Sequence, residues 1–385
     1  MGLWKGTLFI KENTVLPFKM EVSKNDSEYT FSIYNAEEKI TLLNRGFVND
    51  SLLLEFPLFN SKLVLGVSDK TCLKGYWQNL NKGSGYKIGC ILSFGYHKRF
   101  YSNRLYESNV KPTDVNGKWE TTFSPGTGDE YKAVGLFKQH GNDLSGTFLT
   151  ETGDYRFLEG NVSNDSIYLS CFDGSHAFLF TGKLTDGKIH GVFFSGKHWE
   201  TNWIGIKNEG FELTHPDSIT YLKKNEPFSF ECKDLEGNLF HWPSEQLKNK
   251  VVIVQLMGTW CPNCMDETVF LNELYTKYHA EGLEIVSVGF EIGKTFPEQV
   301  ASIQKMKARK KLNFIFLVGG EASKKVASEK FKQLSGISSF PTTLFIGKSG
   351  VIEKIHTGFN GPGTGELYLN FKQETERFVK NLLED

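Results

Sequence analysis

The stretch that decides the fold runs from residue 251 to residue 264 and reads Val-Val-Ile-Val-Gln-Leu-Met-Gly-Thr-Trp-Cys-Pro-Asn-Cys. Its first seven residues form an apolar run that is typical of a buried strand, and Cys261 and Cys264 follow, one helical turn apart. A helix N-terminus favours the thiolate of the first cysteine, and the second cysteine is close enough to form a disulfide with it. The stretch therefore predicts a redox-active pair in the last third of the chain.

Length and composition limit the classes of protein that fit the chain. A chain of 385 residues holds two or three domains, and 39% hydrophobic residues are enough for packed cores. The formal net charge of −1 gives no basic surface for a polyanion, so nucleic acid is not expected as a partner. No apolar run reaches the roughly 18 residues that span a bilayer.

The cysteines are too few for a disulfide-stapled scaffold. Only Cys261 and Cys264 have a diagnostic spacing, and no second Cys-x-x-Cys or nearby pair of histidines completes a zinc site. We therefore predict no metal and no cofactor other than the Cys261–Cys264 disulfide. Cys72 and Cys90 could face each other across a hairpin, with two unpaired buried thiols as the alternative.

The first 210 residues contain an internal repeat. Three short motifs recur at nearly one offset: residues 2–4 recur at 117–119, residues 49–52 at 164–167, and residues 73–75 at 189–191. Both copies carry short strand-like stretches separated by Asn-Asp and Asp-Gly turns, the pattern of antiparallel meanders. A Gly-x-Trp on the first strand of each copy is similar to the calycin barrels of lipocalins and avidins. We predict two all-β domains, possible calycin-like barrels, over 1–110 and 111–210.

Beyond a predicted linker over 211–224, strands and helices alternate, which predicts an α/β domain over 225–385. A hairpin over 228–242 opens this domain. We predict further strands over 251–256, 283–289, 313–318, 342–346 and 351–357, and helices over 261–280, 297–307, 322–331 and 365–383.

Two motifs in this domain carry a family resemblance. Trp-Cys-Pro-Asn-Cys after an apolar strand, with Gly-Ile-Ser-Ser-Phe-Pro-Thr-Thr over 336–343, resembles the thioredoxin superfamily. The opening hairpin, the insertion between 289 and 314, and Glu267 three residues after Cys264 resemble the TlpA/ResA-type thiol–disulfide oxidoreductases. The resemblance covers roughly 220–385 and leaves the β repeats unexplained.

The resemblance implies roles for individual residues. Cys261 would be the exposed attacking thiol and Cys264 the buried resolving thiol. Pro341 would follow a cis peptide bond, which would place the Phe340 backbone beside Cys261 to pair with an extended substrate. Glu267 would tune the thiol pKa values or move protons; the alternative is a solvated acid on the helix face.

The remaining candidates surround the cysteines. Trp260 is predicted to shape the docking surface or to be a plain core aromatic. Pro262 fits the first helical turn, and Asn263 brings no charge to the thiolate, so we expect a reducing couple. Gln255 lies where classical thioredoxins carry a buried Asp. The family usually has a proline soon after the glutamate, whereas this chain has Thr268, so a helix kink is not expected.

These features predict a thiol–disulfide oxidoreductase that reduces protein disulfides in the bacterial cell envelope or periplasm. The β repeats would serve docking or substrate binding, an upstream thiol protein would donate electrons, and a removed N-terminal signal could have carried a membrane tether. Two alternatives stay open: a ligand- or glycan-binding barrel protein with an accessory thioredoxin-like domain, and an envelope disulfide oxidase or isomerase.

Overall fold

The computed structural model describes residues 1–385 except 27, 97, 101–111 and 224–226. The described residues divide into two compact units. The first comprises Met1–Thr150 and Tyr155–Leu213, and the second comprises Glu151–Asp154 and Thr214–Asp385. The predicted domain boundaries at 110/111 and 224/225 lie outside the described residues. Within the described ranges, no helix is both long and apolar enough to cross a membrane.

The first β repeat forms a nine-stranded antiparallel sheet. Its strand order is β4-β3-β2-β1-β9-β8-β7-β6-β5. The strands are β1 (Gly2–Lys11), β2 (Thr14–Asn25), β3 (Glu28–Asn35), β4 (Glu38–Thr41), β5 (Leu43–Val48), β6 (Ser51–Glu55), β7 (Ser61–Asp69), β8 (Cys72–Asn79) and β9 (Lys87–Phe94).

The second repeat forms a closed antiparallel barrel. Its strands run β11-β10-β18-β17-β16-β15-β14-β12, and pairing of β11 with β12 closes the ring. The strands are β10 (Gly117–Phe123), β11 (Tyr131–His140), β12 (Asp143–Thr150), β14 (Leu158–Ser163), β15 (Ser166–Phe172), β16 (Ala177–Thr185), β17 (Lys188–Ser195) and β18 (Trp199–Lys207), and the two-residue β13 (Gly153–Asp154) follows β12 in the chain.

The structure confirms the duplicated all-β region. Trp4 and Trp119 lie near the starts of the equivalent strands β1 and β10, and each is buried. Asn49 turns the chain between β5 and β6, and Asn164 does so between β14 and β15, with φ values of 48° and 53°. Asparagine tolerates this left-handed conformation better than most residues, which explains why the Asn-Asp turns recur.

Aromatic side chains fill the interior of the barrel that the second repeat forms. Phe123, Phe148, Phe180 and Trp203 are fully buried, and the Phe148 and Phe180 rings lie 4.7 Å apart. Trp203 fits because Gly191 faces it: a Cβ on Gly191 would lie 2.3 Å from the indole Nε1. The barrel interior is therefore a packed core.

Buried polar contacts join the two repeats within the first unit. The Asn35 amide donates to the backbone oxygen of Phe172 and accepts from its nitrogen, both at 3.0 Å. The buried Arg99 guanidinium donates to the backbone carbonyl oxygen of Tyr34 at 2.6 Å and to the Glu159 carboxylate at 2.8 Å. Because such groups are costly to bury without partners, these contacts fix one repeat against the other.

Cys72 and Cys90 lie on neighbouring strands but do not pair. In the β8–β9 ladder Cys72 lies opposite Ser93, and Cys90 lies opposite Gly75. Both are free cysteines, as are Cys171 and Cys232.

The second unit is the predicted thioredoxin-like α/β domain. Its seven-stranded sheet has the order β20-β19-β23-β22-β21-β24-β25, with β21, β22 and β23 parallel and the others antiparallel to their neighbours. The strands are β19 (Phe230–Asp234), β20 (Leu239–Trp242), β21 (Val251–Met257), β22 (Leu283–Glu291), β23 (Ile315–Glu321), β24 (Thr342–Ile346) and β25 (Ile352–Thr357). The helices are α1 (Pro216–Ile219), α2 (Pro262–Tyr278), α3 (Phe296–Lys310), α4 (Lys324–Lys330) and α5 (Glu366–Glu384).

The sheet register brings the two predicted motifs together. Leu256, near the end of β21, pairs with Thr342 at the start of β24. The Cys-x-x-Cys segment leaves β21 at this end, and Pro341 immediately precedes β24. The α3 insertion predicted between β22 and β23 is present.

Candidate functional site

The dithiol lies where β21 runs into α2. Cys261 is the N-cap of α2, and its Sγ accepts a hydrogen bond from the Cys264 backbone nitrogen at 3.2 Å. Cys261 and Cys264 form a disulfide with Cα atoms 5.3 Å apart. Cys261 is 7% exposed and Cys264 0%, so the first sulfur is the more accessible of the two but is less exposed than predicted.

The two residues between the cysteines have different surroundings. Pro262 occupies the first turn of α2, where its missing N–H costs no hydrogen bond. Asn263 is half-buried, and its Nδ2 donates to the backbone oxygen of Asp154, a residue of the same unit, at 3.3 Å. Nothing in the sequence predicted this contact.

The segment before β24 lies beside the first sulfur. The Phe340–Pro341 peptide bond is cis, as predicted. The Phe340 carbonyl oxygen lies 3.6 Å from Cys261 Sγ, so the backbone of this segment borders the redox centre. The Ser339 hydroxyl donates to the Thr152 carbonyl oxygen at 3.1 Å.

Trp260 lies at the border between the core and the surface. It is half-buried, its Nε1 donates to the Phe290 carbonyl oxygen at 2.8 Å, and its ring stands edge-on to that of Phe340, with centroids 6.0 Å apart. The ring therefore packs against the cis-proline segment while part of it faces solvent.

Glu267 lies beneath the dithiol and is only 2% exposed, so the alternative of a solvated helix-face acid is wrong. Its Oε2 accepts from Gln255 Nε2, and its Oε1 accepts from Thr343 Oγ1, both at 2.8 Å. Burial raises the pKa of the Glu267 carboxyl to about 7, while these two hydrogen bonds lower it. The carboxyl therefore titrates in the range where a proton acceptor for a thiol is effective.

A polar network joins this carboxyl to the backbone of Cys264. Thr268 Oγ1 donates to the Cys264 carbonyl oxygen at 2.7 Å and accepts from Gln255 Nε2 at 3.1 Å. Gln255 Nε2 contacts Glu267 as well, so one amide connects the glutamate with the first turn of α2. The helix runs from Pro262 to Tyr278 without a break.

A second buried carboxyl, that of Glu291 at the end of β22, was not among the residues predicted from the sequence. Glu291 is 1% exposed, and its carboxylate accepts from Thr259 N at 3.0 Å and Thr259 Oγ1 at 2.5 Å. Burial raises its pKa to about 7, against the lowering effect of the Thr259 contacts. One signal for this carboxyl was present in the sequence: an acid directly follows the strand-forming stretch 283–290. Among the residues that the structure describes, no group of three His, Cys, Asp or Glu could hold a metal ion.

Comparison with known proteins gives the same picture of the second unit. The Redoxin family model matches residues 224–368. The thiol-disulfide oxidoreductase ResA of Geobacillus thermodenitrificans is 30% identical over 129 residues, which cover 34% of this chain and 66% of that protein. ResA of Halalkalibacterium halodurans is 30% identical over 130 residues, 34% of this chain and 65% of that protein. The matched part of the chain thus spans slightly less than two thirds of the length of these relatives.

Among solved structures, a thioredoxin family thiol:disulfide interchange protein from Chlorobium tepidum is 20% identical and covers 43% of this chain and 99% of its own, with a TM-score of 0.31. A thiol-disulfide oxidoreductase from Bacteroides fragilis is 16% identical and covers 37% and 97%, with a TM-score of 0.28. The Redoxin match, the ResA relatives and the geometry of the dithiol lead to one conclusion. The C-terminal part of the chain carries a Redoxin domain, which is similar in sequence to the ResA thiol-disulfide oxidoreductases.

Proposed function

We propose that this protein reduces disulfides of other proteins in the bacterial cell envelope through Cys261 and Cys264. The observation that carries the proposal is the Cys261–Cys264 disulfide, which borders the cis-proline segment at Cys261 Sγ and is linked at Cys264, through Gln255, to the buried Glu267 carboxyl. This arrangement supplies an attacking thiol, a resolving thiol, a backbone edge for the substrate and a proton acceptor.

The reaction starts from the reduced dithiol. The Cys261 thiolate attacks one sulfur of the substrate disulfide, which forms a mixed disulfide and releases the other substrate sulfur as a thiolate that takes a proton from solvent. Cys264 then loses its proton to the Glu267 carboxylate and attacks Cys261 Sγ. The second substrate thiolate leaves, also takes up a proton, and two electrons have passed from the dithiol to the substrate.

The surroundings of the pair favour the direction of reduction. The Cys264 N–H and the α2 N-terminus stabilise the Cys261 thiolate, but Asn263 adds no positive charge. Strong oxidants owe their potential to a strongly stabilised reduced form, and the buried carboxyls near this dithiol oppose such stabilisation. An upstream dithiol protein then returns two electrons to the Cys261–Cys264 disulfide.

The β repeats, in this proposal, bind or dock the substrate protein by their outer surface. In the barrel of the second repeat, side chains occupy the interior, chiefly those of Phe123, Phe148, Phe180 and Trp203. This packing argues against the alternative of a ligand held inside the barrel.

We base the proposed envelope location, with or without a membrane tether, on the ResA resemblance and on where protein disulfides persist. Protein disulfides persist in oxidising compartments outside the cytoplasm, so a reductant for them acts there.

The experiment is the reduction potential of Cys261–Cys264, measured by equilibration in dithiothreitol and glutathione buffers, with C264S as the control that cannot form the disulfide. A potential at or below about −250 mV, near that of thioredoxin, supports the reductase. A value near about −120 mV, as in strong disulfide donors, would replace it with an oxidase. Absence of any two-electron couple would remove the enzymatic proposal.

A further inference from the structure

The end of β22 contacts the turn that presents the attacking cysteine. Both carboxylate oxygens of Glu291 accept hydrogen bonds from Thr259, one from its backbone N–H at 3.0 Å and one from its hydroxyl at 2.5 Å. The neighbouring Phe290 carbonyl oxygen accepts from Trp260 Nε1 at 2.8 Å. Two consecutive residues at the end of β22 thus accept hydrogen bonds from Thr259 and Trp260, the two residues that directly precede Cys261.

This turn has little freedom to move. The Cys261 nitrogen donates to the Gly258 carbonyl oxygen at 3.1 Å, which closes the turn before α2. A Cβ on Gly258 would lie 2.3 Å from Trp260 Nε1 and 2.8 Å from the Phe290 oxygen, so only glycine fits there. The Glu291 carboxylate thus anchors this turn at Thr259, and the Trp260 indole anchors it one residue further on.

We propose that Glu291 is a positioning residue for the attacking thiol: its carboxylate fixes Thr259 and, through the turn 258–261, places Cys261 Sγ beside the Phe340 backbone. The inference rests on the proposed function, because it concerns the rate at which Cys261 attacks a disulfide. Glu291 acts through Thr259 and has a role different from that of Glu267, which contacts Gln255 and Thr343 on the other side of β21.

The buried position of Glu291 supports a role beyond stability. A buried carboxyl is costly to ionise, and the raised pKa of Glu291, about 7, reflects that cost. A neutral hydrophobic residue of similar volume at this position would remove the cost but would leave the Thr259 N–H and hydroxyl without an acceptor. A displacement of about 1 Å at a reacting atom is enough to slow a reaction by about 100-fold.

The test compares E291A, E291Q and the matched control E321A in the full chain. Glu321 lies opposite Glu291 in the β22–β23 ladder but is exposed. In E291Q the amide oxygen accepts from Thr259 N–H, and the amide nitrogen donates to Thr259 Oγ1, so both contacts persist without the charge. The readouts are the second-order rate of attack of the reduced protein on oxidised glutathione and the pH dependence of Cys261 alkylation in a C264S background.

We expect E291A to react about 10- to 100-fold more slowly than wild type, with an altered alkylation profile, while E291Q and E321A stay within about threefold. A folded E291A that reacts within twofold of wild type, or an E291Q as slow as E291A, would overturn the positioning role. If E291A does not fold, T259V removes the hydroxyl contact alone, and a rate equal to that of wild type would overturn it. Failure of wild type itself to exchange with glutathione would instead reject the proposed function.

Discussion

Gln255 Nε2 donates a hydrogen bond of 2.8 Å to Oε2 of Glu267, which joins the strand before the dithiol to the buried carboxyl on α2. The orientation of the amide is fixed from its other end, because Ser287 Oγ donates to Gln255 Oε1 at 2.8 Å. Gln255 cannot take a proton from a thiol, so its role is to stabilise the ionised Glu267. The proposed proton acceptor thus lies on the helix and its supporting amide on the strand.

The first prediction concerns the pH dependence of disulfide reduction. The pKa of Glu267 is raised to about 7, so the carboxylate that we propose as acceptor of the Cys264 proton becomes populated as the pH rises through 7. Wild-type turnover should therefore rise through this range, and E267Q should lose that inflection and be slower by about 100-fold at pH 8. Turnover of a model protein disulfide is measured from pH 5 to pH 9.

The control for E267Q is E273Q, which changes an exposed glutamate on the same helix. E273Q should keep both the rate and the inflection of wild type. If E267Q retained the inflection near pH 7, the proton acceptor would have to be another group.

The second prediction concerns stability against pH in the oxidised protein, in which the two thiols do not titrate. The folded-state pKa of Glu267 lies above the ordinary value of a glutamate, about 4.5, so the folded protein binds the extra proton between pH 4.5 and pH 7. Stability is therefore lost as the pH rises through this window and levels off above it. Relative to wild type, E267Q should gain up to about 3 kcal/mol in free energy of unfolding between pH 4 and pH 8.

Guanidinium denaturation of wild type and E267Q at both pH values measures this gain. Glu291 contributes to the wild-type slope with the same sign, because its pKa is also raised to about 7. Since Glu291 is present in both proteins, it cancels in the comparison. A difference between the two proteins that does not change with pH would show that the pKa of Glu267 is the same in the folded and the unfolded protein.

The third prediction isolates one hydrogen bond to the carboxyl. Thr343 Oγ1 donates to Glu267 Oε1 at 2.8 Å and so stabilises the ionised form. T343V keeps the shape of the side chain but removes the donor, so the pKa of Glu267 should rise further above its ordinary value. The inflection in the pH–rate profile should move upward accordingly.

T342V is the matched control, because Thr342 is equally buried but donates to the Ser339 carbonyl oxygen at 2.9 Å. Its profile should keep the wild-type inflection. Equal profiles for T343V and wild type would mean that the Thr343 contact does not control the titration.

The sequence predicted the α/β domain well because its elements have strong local signals. The strand over 342–346 was predicted with its exact limits, and the apolar run at 251 became β21 with one extra residue. Helix α2 begins where a proline follows a residue that can cap it, and Cys261 supplies the cap through its sulfur. Such signals depend on neighbouring residues alone.

The parts that the sequence did not predict depend on contacts between distant segments. Glu291 lies 32 residues from Thr259 in the chain, and only the parallel pairing of β21 with β22 brings them together. The contact of Asn263 with the Asp154 backbone likewise joins residues 109 positions apart. The near-complete burial of Cys261 has the same cause, since packing of several segments decides it.

The last prediction tests whether the second barrel is a packed core. Gly191 lies on β17 with no room for a side chain, because a Cβ would lie 2.3 Å from both the Thr181 oxygen and Trp203 Nε1. G191A should therefore lower the free energy of unfolding of the first unit by about 2–3 kcal/mol, the cost of overpacking a filled interior. The matched control is G66A on β7, where the nearest atom to an added Cβ is 3.7 Å away. Scanning calorimetry should show a lower transition temperature for G191A and little change for G66A. A wild-type transition for G191A would mean that the barrel interior has free space beside Trp203, which would restore the possibility of an internal ligand.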